Sequence, residues 1–367
     1  MPRFLSNLGI APQRRFIRLE NLTDIENAIY TNQKVVDLTP DGHPHRPDYF
    51  SNLGNALSAR LERLQNLEEL DGVLQACSQV AKSPIGSPIN RFRAARAWAR
   101  HSEKYSRSPL PAYNCAIGLL PRVAWLGLEV SDQHELLVDI GGIVRDAVSA
   151  AIQLGKLEVA VEWAEQGRSI VWQNLLGLRT PIDDLRATHP QLADKIRDIA
   201  RQMEASTSQT VSNADIRSAQ LVIAWENAVE EVRKLPGFEG FLRAKTFSQL
   251  SHVAHEGPVV ILNVSDSRSD ALVLAEDESE DKHVSVVSIP LTRFSYETGR
   301  KLREKLTELL TLAGFRDRGE TRKTGRVFSG GGNIKAAFQK ILRILWLDVV
   351  QPVIDTLKYQ VRHLDDG

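Results

Sequence analysis

Ser6-Asn7-Leu8-Gly9 returns 45 residues later as Ser51-Asn52-Leu53-Gly54, and the reading of this stretch decides the fold. The register holds beyond the four letters: Arg15 is matched by Arg60, Phe16 by Leu61, Arg18 by Arg63 and Leu19 by Leu64. Asn21-Leu22 then comes back as Asn66-Leu67, Ile25 as Leu70, Ile29 as Leu74 and Val35 as Val80. A period of roughly 20–50 residues marks a supersecondary unit that buries its apolar face by stacking on copies of itself. Such an array is a surface for holding other molecules.

Within the second copy, Leu53, Leu57, Leu61 and Leu64 fall on one face of a helix. Asn66-Leu67-Glu68-Glu69-Leu70 reads as a turn into a second helix running through Val73, Leu74, Cys77 and Val80. Gly54, Ala56 and Ala76 allow close approach, so each unit is expected to be a helical hairpin. The stretch 39–47 between the copies is proline-rich and reads as a loop. In this reading Asn7 and Asn52 are polar residues at helix starts.

Helical spacing continues over 89–105, 112–128, 135–154 and 157–178, the last two forming a hairpin across Gly155-Lys156. A longer antiparallel pair is expected over 189–206 and 214–235. Six tryptophans read as core anchors. After Pro236 the character changes. Val259–Val264, 271–274 and 284–289 read as strands bounded by turn signals, and two helices follow at 296–312 and 334–357. The expected division is residues 1–178 as helical repeats, 179–245 as a helical connector and 246–367 as an α/β module.

Composition narrows the function classes. The 46 basic and 46 acidic side chains cancel, which weighs against a nucleic-acid or anionic-membrane binder. Two cysteines, Cys77 and Cys115, build no disulfide framework and favour a reducing compartment. No apolar run is long enough to span a bilayer, and the N-terminal residues lack a signal-peptide core. A cytoplasmic or nuclear location is expected.

The repeats resemble tetratricopeptide repeats, in which a Leu-Gly pair opens the first helix and a small residue recurs in the second. The period is longer than the family's usual one, and the surplus fits the proline-rich loop. The whole chain also resembles fungal tetratricopeptide proteins carrying a CHAT domain, a caspase-like module. The phrases that carry this likeness are Leu38-Thr39-Pro40-Asp41-Gly42-His43-Pro44, Ala164-Glu165-Gln166-Gly167-Arg168-Ser169, Gly257-Pro258-Val259-Val260-Ile261-Leu262-Asn263-Val264 and Trp346-Leu347-Asp348-Val349-Val350-Gln351-Pro352-Val353. The resemblance implies a mainly α chain: a tetratricopeptide-like hairpin solenoid followed by a partial α/β, caspase-like module. In that family the catalytic histidine and cysteine lie on strands past the last helix read here. Neither has a counterpart, so no peptidase activity is carried over. The alternative is a fragment of a caspase-like cysteine peptidase.

The remaining candidates are weighed against plain structural roles. Cys77 and Cys115 sit in apolar helical stretches and read as packing residues. His43-His45 and His252-His255 lack third and fourth ligands, so no metal site is assigned. Ser329-Gly330-Gly331-Gly332-Asn333 lacks the Gly-Lys-Ser/Thr ending of a phosphate loop, and no cofactor is expected. Asn55 stands where peptide-clamping tetratricopeptide domains place an asparagine, but Ser51 replaces their lysine and Ile10 occupies the equivalent place in the first repeat. Candidate partner contacts are Asn7, Asn52 and Asn55 on the repeats and Arg316, Arg318 and Arg322 in a basic loop. The expected partner is a protein or peptide on the concave face; the sequence leaves the oligomeric state open.

Overall fold

The sequence repeat is a repeat of structure. The computed structural model describes residues 2–43, 45–65, 67–84, 88–124, 130–176, 181–207, 214–276, 283–312 and 331–357. Helices α1 (Pro2–Leu19) and α2 (Leu22–Asp37) form one hairpin, and α3 (Arg46–Leu64) and α4 (Leu70–Lys82) the next. The two turns are built alike. Glu20 and Gln65, 45 residues apart, both adopt left-handed backbone, with φ of 57° and 52°. Each donates its N–H to a carbonyl four residues back: Glu20 to Phe16 at 2.8 Å and Gln65 to Leu61 at 2.9 Å. Those are the helix-ending bonds that satisfy otherwise orphaned carbonyls.

Burial repeats in the same register. Phe16 and Leu61, Ile25 and Leu70, Ala28 and Val73, Val35 and Val80, and Val36 and Ala81 are all buried. An ion pair repeats too. Arg15 in α1 holds Asp24 in α2, and Arg60 in α3 holds Glu69 at the foot of α4. Each clamps the two arms of its own hairpin.

Helices α5 (Pro88–Lys104) and α6 (Leu110–Ala124) form a third hairpin, with Ser106 left-handed at its turn (φ 56°). From α1 to α6 each helix packs on the next along the chain; α1 also reaches α3, and α4 reaches α6. Helices α7 (Val130–Gln153) and α8 (Leu157–Leu176) turn about Gly155, at φ 68°. They approach closely at Gly167, where an added Cβ would lie 2.5 Å from Val144 Cγ1. Helices α9 (Pro181–Thr188), α10 (Pro190–Thr207) and α11 (Ala214–Arg233) share a core of Ile182, Leu185, Ile196, Trp225, Val232 and Phe241.

The chain divides into two units. One is Met1–Val144 with Glu165–Lys245; the other is Arg145–Ala164, the tip of the α7–α8 hairpin, with Thr246–Gly367. In the second unit, β1 (Val259–Val264), β2 (Ser269–Glu276) and β3 (Val284–Pro290) form an antiparallel meander in the order β1-β2-β3. Val260 pairs with Val273 and Ala271 with Ile289. Helices α12 (Phe247–Ser251), α13 (Tyr296–Leu312) and α14 (Gly331–Leu345) accompany the sheet. One core joins Ala271, Val273, Ile289, Leu291, Phe294, Val349 and Val353. The hairpin tip is tied to β1 by polar bonds: Asn263 Nδ2 donates to Arg145 O at 3.1 Å and to Ser149 Oγ at 2.9 Å.

The chain is therefore mainly helical, with a small antiparallel sheet near its C-terminal end. Three expectations need correction. Pro47 belongs to α3, not to a loop, because proline in a first helical turn removes an N–H that has no intrahelical partner there. Consequently Asn52 lies inside α3 and Asn7 inside α1, neither at a helix start. Trp346 is no core anchor but 52% exposed, since the buried Val349 and Val353, with the partly buried Leu345, form the core-facing stripe beside it. There the helix widens into a π-turn, Trp346–Val350, and Arg293 Nη2 donates to Leu347 O at 2.6 Å.

Candidate functional site

Gly54 and the small residues around it open a groove in the first unit. A Cβ at Gly54 would meet Ala76 Cβ at 3.2 Å, so α3 and α4 sit close together here. Above this contact lies a cavity of about 370 Å³ walled by α3 and α5. Asn52 and Asn55 line it from α3, and Asn90 and Arg93 from α5. Phe50, Cys77, Val80, Ala94 and Ala97 supply apolar surface, and Asp48 stands at the α3 end. Leu53 turns the other way, into a cluster with Val35, Val36 and Tyr49. Leu53 thus faces inward, while Gly54 and its asparagine neighbours line the groove.

Both α3 candidates are brought together. Asn55 is exposed and Asn52 half-buried. The Asn52 carbonyl accepts from Nδ2 of the buried Asn32 at 3.4 Å, tying α2 to α3. The sequence reading missed Asn90 and Arg93; their signal was the polar face of α5. A carboxamide both donates and accepts, so asparagines on facing walls can pair with the main chain of an extended peptide.

Past the groove's lining residues along α3 and α5, Ser58 Oγ and His101 Nε2 share a hydrogen bond of 3.2 Å. His101 is buried, and burial, reinforced by Arg100, lowers its pKa below the usual imidazole value. Cys77 is pushed up to about 11 by burial, and Cys115 is also raised by burial. Both thiols therefore stay protonated at neutral pH.

A second cavity, of about 380 Å³, lies between α6 and α11. Arg122 and Glu226 cross it as an ion pair of 2.9 Å. Elsewhere, the rings of His43 and His45 lie 5.6 Å apart and those of His252 and His255 5.8 Å apart. Among the described residues, no group of three or more His, Cys, Asp or Glu could hold a metal ion. No helix of the described residues is long and apolar enough to cross a membrane. Arg316, Arg318 and Arg322 lie outside the described residues, as do Ser329 and Gly330; the Asn7 side chain is likewise not described.

Comparison with protein-family models, with curated proteins and with solved structures finds no match for this chain.

Proposed function

We propose that the chain is a protein-interaction scaffold whose hairpins α1–α6 form a tetratricopeptide-like solenoid. Its groove between α3 and α5 holds an extended peptide. The observation that carries this reading is the placement of Asn52, Asn55 and Asn90 around one cavity on stacked, repeating hairpins. Stacked repeats present broad surfaces of shallow contacts suited to extended partners. Asparagine carboxamides on both walls match the alternating donors and acceptors of a peptide backbone. We read the second unit, with its small sheet and helices, as a non-catalytic α/β module attached to this scaffold.

The test is selection of peptides from a random library on the full-length protein, followed by binding to an Asn55→Trp variant. Asn55 is exposed, so the larger ring fills the groove without entering the core. Selected peptides are expected to lose most of their affinity for the variant while its thermal melt stays unchanged. Equal binding to both proteins defeats the reading.

A further inference from the structure

The small sheet of the second unit guards one of its edges and leaves the other open, independently of the groove. Ser265 N–H donates to Arg268 O at 3.0 Å and closes the β1–β2 turn. Opposed residues of an antiparallel ladder alternate between bonded and non-bonded pairs. Counting back from that turn, the bonded pairs are Asn263 with Asp270, Ile261 with Leu272 and Val259 with Leu274. Val260, Leu262 and Val264 therefore turn their N–H and C=O groups away from β2, to a side where no strand follows among the described residues. On the other edge, Leu291 N–H donates to Ser269 O at 2.9 Å, and the same count turns Val286, Ser288 and Pro290 outward. Proline offers no N–H there, a device that keeps an edge from pairing. Strand β1, Val-Val-Ile-Leu-Asn-Val, has neither proline nor charge.

Exposed apolar side chains gather at the open edge. Val260 and Leu262 are exposed on the sheet face whose Ala271, Val273 and Ile289 share a core with Val349 and Val353. Leu342, Trp346 and Val350 are exposed too, recurring every four residues along α14 and its π-turn. Residues on either side of a core-facing position splay to opposite flanks of a helix, as Asp348 and Val350 do about Val349. Arg293, just past β3, holds Asp348 at 3.3 Å, so Val350 and its stripe lie on the flank away from β3, toward β1. We propose that β1 pairs antiparallel with β1 of a second copy of this chain, joining two three-stranded meanders into one continuous sheet. The two-fold axis of such a pairing stands perpendicular to the sheet, so both copies carry α14 on the same side. Val260 and Leu262 of each copy then meet those of the other, and the two stripes of Leu342, Trp346 and Val350 close over them. A lone added strand would satisfy the edge but bring no second stripe. A second copy covers both, and with no charge on β1 nothing repels it.

The experiment is sedimentation velocity of the full chain over about a hundredfold range of concentration, paired with hydrogen exchange of residues 259–264 over the same range. The chain is expected to sediment at twice the monomer mass when concentrated and to fall to the monomer on dilution, with 259–264 exchanging more slowly in the dimer. Combined Val260→Lys and Leu262→Lys should leave a monomer at every concentration, since charge on an edge strand opposes pairing. Val260→Pro, which removes an N–H that β1 does not spend on β2, should weaken the dimer, and Trp346→Glu should weaken it at least about tenfold. Ser285→Lys, at an exposed position on β3, should dimerise like wild type. Circular dichroism of each variant should match wild type, and the wild-type exchange data need no variant at all. A chain that stays monomeric throughout overturns the proposal, whether 259–264 exchanges fast, as an open edge, or slowly, as an edge covered by its own chain. A dimer that survives both the lysine pair and Val260→Pro undiminished also overturns it, because another surface then holds the copies together.

Discussion

Replacing Leu61 by alanine probes the repeat where its two copies agree best. Leu61 is fully buried in α3, packed with Leu70, Val73 and Cys77 and with the partly buried Leu57, Leu74 and Trp98. The change removes three carbons from the core, about 2.4 kcal/mol of transfer free energy. The unfilled cavity adds to this, bringing the expected loss to about 3–4 kcal/mol. Leu64, one turn along the same helix but 45% exposed, is the internal control. Leu64→Ala should cost no more than about 0.5 kcal/mol. Native-state hydrogen exchange on the full chain reads both. A loss of about 3 kcal/mol accelerates the slowest α3 and α4 amides by about a hundredfold, whereas the control leaves them nearly unchanged. Phe16→Ala, its equivalent in α1, should accelerate α1 and α2 in the same way. The reasoning is refuted if Leu61→Ala and Leu64→Ala are indistinguishable.

Three further outcomes are expected. Arg15→Ala should destabilise the first hairpin at neutral pH, because its hydrogen bonds and charge hold Asp24 below the usual carboxylate range. A depressed folded pKa contributes stability above the unfolded value that is lost as pH falls through the folded one, so the difference from wild type in urea unfolding should shrink in acid. His101, also lowered by burial, takes up its proton more readily when unfolded. Stability should therefore decline as pH drops below about 6.5, and His101→Gln should flatten that decline in thermal melts. Gly167→Ala should cost about 1–3 kcal/mol by driving a methyl into Val144. Adding Val144→Ala should recover part of that loss, and a double-mutant cycle in urea would show the coupling.

How much of this was legible differs by element. The leucine spacing of α3 and the β-branched runs of β1 and β3 spoke plainly, because burial on one face or in a sheet imposes its own period. The turn geometry was hidden. Its left-handed positions are filled by Glu20 and Gln65 in place of the glycine that usually announces them. The repeated ion pair was half visible: Arg15 and Arg60 match, but Asp24 and Glu69 differ by a methylene and escaped notice. Helix α9, only eight residues long, shows too few apolar positions to declare a face. Asn52 and Asn55 were found through the repeat, whereas Asn90 and Arg93 come from a hairpin that has lost its signature. The bond from Asn263 to Ser149 joins residues 114 apart in sequence and only the fold brings them together.

Hydrogen exchange of the full chain with and without a library-selected peptide asks most directly whether this scaffold holds its partner between α3 and α5. Slowed exchange confined to residues 48–55 and 90–97 is the predicted footprint. A footprint centred on β1–β3 or on α10–α11, with those two segments unaffected, would contradict the account.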